Sequence, residues 1–211
     1  MEPLSCDALG TRAVNQQLRA LPAGGEIRVL HPRGRHNLAV GLASQVSVTV
    51  DGNAGYFLGG LCGTGDGTGP DIVVNGFVGW SVGENLMGGS IRVHGSASQS
   101  AGSSARGGSI VIEGDASLRA GISLKGATLA IGGNAGHGLG DSLYEAVIFV
   151  AGSIASLGSD AVVEEVTDDD ALMLKDLVEK IGFDHIDPNR VTKVASARQL
   201  YHFSTHNYGA Y

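Results

Sequence analysis

Ile91-Arg-Val-His-Gly-Ser-Ala97, Ile110-Val-Ile-Glu-Gly-Asp-Ala116 and Leu129-Ala-Ile-Gly-Gly-Asn-Ala135 are one pattern written three times, 19 residues apart. Its fifth position is always glycine. Following that glycine outward gives Gly52, Gly76, Gly95, Gly114, Gly133 and Gly152, with spacings of 24, 19, 19, 19 and 19. The longer first interval holds the inserted run Cys62-Gly-Thr-Gly-Asp-Gly-Thr-Gly-Pro70. A fixed period of this length marks a repeat architecture.

The columns of the repeat define its unit. Four residues before the glycine stand Val48, Ile72, Ile91, Ile110, Leu129 and Ile148, and two before it Val50, Val74, Val93, Ile112, Ile131 and Val150. Two residues after it stand Ala54, Val78, Ala97, Ala116, Ala135 and Ile154. Apolar, mostly β-branched residues two apart lie on one face of a strand. A second glycine falls seven residues on, at Gly59, Gly83, Gly102, Gly121 and Gly140, with Gly158 one residue early in the last unit. A unit this short has no room for a helix and cannot bury its apolar face alone. Stacking solves both problems, so the fold expected is all-β, a parallel β-helix of six to seven coils with glycines at corners that need positive φ or close approach. The handedness of parallel crossovers favours a right-handed helix. A left-handed hexapeptide helix requires a period of 18, which 19 breaks.

Both ends of such a rod need covers, because open strand edges and exposed core invite aggregation. Thr11 to Leu21 reads as an amphipathic helix with Thr11 as N-cap, Val14, Leu18 and Leu21 on one face, and Pro22 and Gly24-Gly25 as its stop. Glu26–Leu30 is a strand, and His31 to Gly41 a degenerate first coil. Thr167-Asp-Asp-Asp170 opens a second helix running to about Ile181, with Thr167 as cap, acids suited to the helix dipole, and Gly182 as its end. The expected organisation is therefore an N-terminal segment with a capping helix (1–25), the parallel β-helix (26–164), and a C-terminal helix with an aromatic tail (165–211). That tail carries Tyr201, Phe203, Tyr208 and Tyr211, and reads as packed back on its own subunit or as a hook into a partner.

Composition excludes several function classes. The chain has 211 residues and a formal net charge of -7, which with no basic stripe argues against nucleic acid. The apolar stretch around 146–151 is far too short for a membrane span, and the N-terminus lacks a signal-peptide pattern. A cytoplasmic protein is the plain expectation. Cys6 and Cys62 provide neither a disulfide framework nor metal-ligand spacing.

Few residues invite chemistry. The outward column just before each repeat glycine, Asp51, Asn75, His94, Glu113, Gly132 and Ala151, places His94 beside Glu113 and Asn75. Such a pair suits acid–base work, or equally a solvated polar ladder. The glycines of Gly63–Gly69 suggest a phosphate nest but lack the following Lys-Ser/Thr. Gly136–Gly140 contains the repeat's own glycines. His202 and His206 have helical metal spacing without a third ligand nearby, and Cys62 has no evident activator. No catalytic, cofactor-binding or metal-ligating residue is expected on this chain.

Gly95-Ser-Ala-Ser-Gln-Ser-Ala-Gly102, Arg106-Gly-Gly-Ser-Ile-Val-Ile-Glu-Gly-Asp-Ala116, Ala120-Gly-Ile-Ser-Leu-Lys-Gly126, Gly140-Asp-Ser-Leu-Tyr-Glu-Ala146 and Ala155-Ser-Leu-Gly-Ser-Asp160 together resemble the GXGXG domain of glutamate synthase. The free-standing small subunit of N-methylglutamate synthase is the nearest form, and the resemblance runs from Leu18 to the 201–203 tail. It implies a β-helical subunit without catalytic residues. Its implied partners are a glutamine-amidotransferase-like subunit and a synthase subunit carrying FMN and iron–sulfur clusters. The implied reaction joins methylamine to a glutamate skeleton, giving N-methylglutamate and ammonia. The alternatives weighed are the GXGXG subunit of a formylmethanofuran dehydrogenase or formyltransferase/hydrolase complex, and a carbohydrate-active β-helix enzyme using Glu113 and His94.

Overall fold

The computed structural model describes residues 2–181, 187 and 190–197. Strands β1 (Leu4–Ser5), β2 (Glu26–Leu30), β3 (Ser47–Asp51), β4 (Gly67–Val74), β5 (Met87–Val93), β6 (Gly107–Ile112), β7 (Thr128–Ile131) and β8 (Val147–Val150) pair in parallel in chain order. Strands β2 to β8 each open one coil of a parallel β-helix of about seven turns.

The register follows the repeat. Val48 faces Ile72, then Ile91, Ile110, Leu129 and Ile148, and all six are buried. Ala54, Val78, Ala97, Ala116, Ala135 and Ile154 bridge in succession on the next face. Two further inward columns complete the core. Leu58, Val82, Ala101, Ala120 and Leu139 form one, and Cys62, Leu86, Ala105, Leu124 and Leu143 the other. Residues 31–42 form the first coil: the amides of Gly34, Asn37 and Gly41 donate to the carbonyls of Asn53, Tyr56 and Gly60.

The two glycine columns serve different ends. The repeat glycine lets consecutive coils meet, since a Cβ on Gly152 would lie 2.7 Å from the carbonyl carbon of Gly133. The second glycine turns a corner at positive φ, between 66° and 70° from Gly59 to Gly140. Two neighbouring corner columns adopt the same left-handed conformation without glycine, including Phe57, Ser81, Ser100 and Arg119, and Leu61, Asn85, Ser104 and Ser123. A corner column of side chains satisfies main-chain amides of the following coil. Asn53 Oδ1 accepts from Phe77 N (2.9 Å), Ser96 Oγ from Asp115 N (3.0 Å), Asp115 Oδ1 from Asn134 N (2.6 Å) and Asn134 Oδ1 from Ser153 N (2.9 Å).

Helix α1 (Thr11–Arg19) closes the first coil. Thr11 is its first helical residue, and Gly10 occupies the N-cap with no side-chain bond, which corrects the cap expected from Thr11. Val14 and Leu18 are buried against the core. The buried Asn15 clamps the coil: its Nδ2 donates to Asn37 O (2.6 Å) and its Oδ1 accepts from Ala39 N (2.8 Å).

The other end has a composite cover. Helix α2 (Asp168–Ile181) opens with Thr167 and Asp170 in reciprocal hydrogen bonds, Asp170 Oδ2 accepting from Thr167 N (2.9 Å) and Thr167 Oγ1 from Asp170 N (3.2 Å). It lies along the side of the last coils, where Leu174 and Val178 cover the outward residues Val111, Ala130 and Phe149. The edge of β8 is covered by β10 (Thr192–Ser196), which runs antiparallel between β8 and β9 (Ala161–Glu164). Lys193 on β10 ties the parts together, reaching Asp170 at 2.8 Å and Glu164 at 3.4 Å.

Candidate functional site

Alternation sends every second residue of β3 to β6 away from the core, and there Asp71, Ser90, Arg92 and Ser109 stand beside the apolar Val73 and Val111. His94 Nδ1 and Glu113 Oε2 meet at 2.9 Å, one coil apart, as the spacing predicts. Asn75 turns the other way and donates to Asp51 Oδ1 (2.8 Å), while Asp51 also binds Arg28 at 2.6 Å. Arg92 stands one outward position before His94. Burial pulls its guanidinium below its ordinary value, against the opposing pull of Asp71 and Glu113.

Where the outer column changes from Val111, Ala130 and Phe149 to Arg92, α2 no longer has apolar sheet to cover. A recess of about 570 Å³ results, with Asp71, Ser90, Arg92 and Ser109 on the sheet side and Met173 and Asp176 on the helix side. Ser90 Oγ donates to Asp71 Oδ1 at 2.6 Å. His94 and Glu113 do not line this recess. Their side chains are about one third exposed, which makes them an open surface pair rather than an enclosed acid–base site.

The other residues singled out in the sequence sit in structural roles. Cys62 belongs to an inward column, its thiol donating to Ala39 O (3.0 Å), and burial pushes it up to about 11. In the inserted loop Asp66 Oδ1 accepts from Thr64 Oγ1 (2.6 Å) and from Thr68 N (2.8 Å), so a carboxylate fills the turn that a phosphate nest would leave open. These donors hold the Asp66 carboxyl below the usual range. Within Gly136–Gly140, His137 Nδ1 and Gly138 N both lie against Ser156 Oγ. His202, His206 and the aromatic tail lie outside the described residues. Among the described residues no group of three His, Cys, Asp or Glu is placed to hold a metal ion, and no helix is long and apolar enough to cross a membrane.

A second surface went unread in the sequence. On the corner face of the second and third coils, Tyr56, Phe57, Leu61, Phe77 and Trp80 are all exposed. Tyr56 and Trp80 stack with centroids 5.0 Å apart, and His36 of the first coil continues the stack at 4.3 Å. A signal was present: residues 56 and 80 are 24 apart, the same interval as the first two repeat glycines.

The chain is 36% identical over 83 residues to Protein GlxC of Rhizobium meliloti (strain 1021). The matched stretch is 38% of this chain and spans about a third (34%) of the length of GlxC. No protein-family profile matches the chain, and no solved structure matches it. Fold and surface thus define a parallel β-helix with a helix-sided recess on one face and an aromatic corner on another.

Proposed function

We propose that this chain is a non-catalytic, structural subunit of a glutamate-synthase-like complex, and specifically of an N-methylglutamate synthase. It holds an amidotransferase-like subunit and an FMN and iron–sulfur synthase subunit in register, so that an amine released by the first reaches the second without loss to solvent. One observation carries the reading. The glycine–alanine repeats that resemble the GXGXG domain do form a parallel β-helix, the fold that resemblance implies. The similarity to GlxC supports a glutamate-synthase-like setting. A stiff stack of coils, with every strand from β2 to β7 paired on both sides, suits a spacer between two active subunits.

The test is reconstitution. The two partner subunits are assayed for methylamine-dependent formation of N-methylglutamate, with and without this chain. The reading expects the full rate only with all three components. An equal rate without the chain overturns it.

A further inference from the structure

We infer that the aromatic corner of the second and third coils is the docking surface for a different protein chain, one that presents an uncharged, apolar surface there. The inference rests on the subunit reading above.

Its first support is where the large side chains stand. The two non-glycine corner columns require φ near 55–60°, a conformation that L-residues other than Asn and Asp rarely adopt and that costs about 1–3 kcal/mol. Most coils fill them with small or polar residues, such as Asn37, Ser81, Ser100, Asn85 and Ser104. The second coil alone puts a Phe and a Leu there, Phe57 at φ 60° and Leu61 at φ 58°. Both are left open to solvent, Leu61 at 55%. Neither backbone preference nor burial among the described residues explains that choice. The single Trp of the chain, Trp80, stands 45% exposed beside them, stacked on Tyr56. Exposed aromatic residues gathered on one patch are a signature of interface cores.

The second support is charge, and it decides the kind of occupant. Residues 52–65 and 95–105 contain no Asp, Glu, Lys or Arg, and Glu84 is the one charged residue of 76–89, its main-chain oxygen accepting from Leu61 N (2.9 Å). The corner-facing arcs of three consecutive coils thus carry one charged side chain, Glu84, in a chain with 35 charged residues. A partner bringing a charge onto Tyr56, Phe57, Phe77 and Trp80 would desolvate it with no counter-ion among those side chains to meet it. The fourth coil continues the face with Ser96, Gln99, Ser100 and Ser104, a polar rim beside an apolar centre. The partner that fits is an uncharged apolar face held in lasting association.

Three readouts test this on the full chain. The first is affinity for the co-expressed flavin and amidotransferase-like subunits, compared between wild type, Leu61→Ser/Trp80→Ser and the control Leu172→Ser, an exposed position on α2. The corner variant changes exposed residues, so an unchanged thermal melt establishes that it folds. We expect at least a thirty-fold loss for the corner variant and less than a three-fold change for the control. Wild-type and corner variant binding equally well overturns the surface while leaving the subunit reading intact. A wild type that binds neither subunit overturns both. The second readout is salt: affinity holds within about three-fold from 0.1 to 1 M NaCl, whereas a steep loss overturns the uncharged partner. The third is the ¹⁹F resonance of 5-fluorotryptophan at Trp80, which shifts when the partner is added. Self-association of the isolated chain that Trp80→Ser abolishes overturns the inference in favour of a second copy.

Discussion

Asn15 of α1 bridges two main-chain groups of the first coil, donating to Asn37 O at 2.6 Å and accepting from Ala39 N at 2.8 Å. Both contacts lie at the open end of the solenoid, where no preceding coil supplies partners. One buried side chain thus takes the place of the missing neighbour. Asn15→Ala leaves the buried Ala39 amide without this partner and removes a part-buried bond to the Asn37 carbonyl, and is expected to cost about 1–3 kcal/mol. Asn15→Asp keeps the acceptor but loses the donor, and should recover part of the loss. Urea denaturation of the three proteins checks the order.

The glycine corners predict a pair of opposite effects. Gly121 has φ 68°, and a Cβ there would lie 2.5 Å from Ile148 Cδ1. Gly121→Ala should destabilise by about 2 kcal/mol or more, from backbone strain and crowding together. Ser100 has φ 58°, so Ser100→Gly relieves strain and should stabilise by up to about 1 kcal/mol, less the entropy glycine adds to the unfolded chain. Thermal melts under identical conditions read both signs.

The repeat columns made the strand register and the inward Ile, Val and Ala faces legible in the sequence, because period-two alternation and a constant interval fix them together. The rest depended on contacts between coils that no local pattern encodes. The inward columns of Leu58 and Cys62 follow corners whose turn geometry had to be known first. Helix α2 had a readable apolar face, but its seat on Phe149 is set by three outward residues that look like ordinary strand positions. The insertion of β10 between β8 and β9 is a long-range pairing with no sequence signature. At the candidate sites, His94 and Glu113 met as the spacing implies. The aromatic corner was missed because its residues fall in columns with no constant residue type: Phe57 aligns with Ser81 and Ser100, and Tyr56 and Trp80 with Gln99, Leu118 and His137.

Asp170 and Lys193 form a latch with a defined pH window. Burial works to raise the Asp170 carboxyl, but the Lys193 ammonium and the Thr167 donors outweigh it and hold the group below the usual range. The Lys193 ammonium is held above its ordinary value, chiefly by its hydrogen bond to Asp170. The carboxylate's contribution is present above the ordinary aspartate range and lost as pH falls through the depressed value; the ammonium's is present below the ordinary lysine range and lost as pH rises through the raised one. Amide protection factors in β10 and the first turn of α2, each taken relative to the intrinsic exchange rate at that pH, should therefore be largest at neutral pH and fall toward either extreme. Asp170→Asn should flatten the acid side of that profile.

Cys6 and Cys62 are both buried, and burial raises both thiols, Cys62 to about 11. Neither should react with Ellman's reagent in the native protein at pH 8, and both should react at once in denaturant. Fast labelling of Cys62 in the folded chain would contradict its place in the core column.

His94 and Glu113 form an exposed pair outside the recess, and exposed pairs contribute at most about 1 kcal/mol. The double variant His94→Ala/Glu113→Gln should fold and, in the reconstituted complex, support the wild-type rate of amine transfer. Loss of turnover with assembly intact would make this chain a contributor to the chemistry rather than a spacer.

The most direct test of the central claim is the native mass of the assembly isolated through a tag on this chain from the cells that make it. The account predicts a fixed-ratio complex that contains a flavoprotein with bound FMN and an amidotransferase-like subunit. A lone 21.5 kDa chain, or a homo-oligomer without flavin, would contradict it.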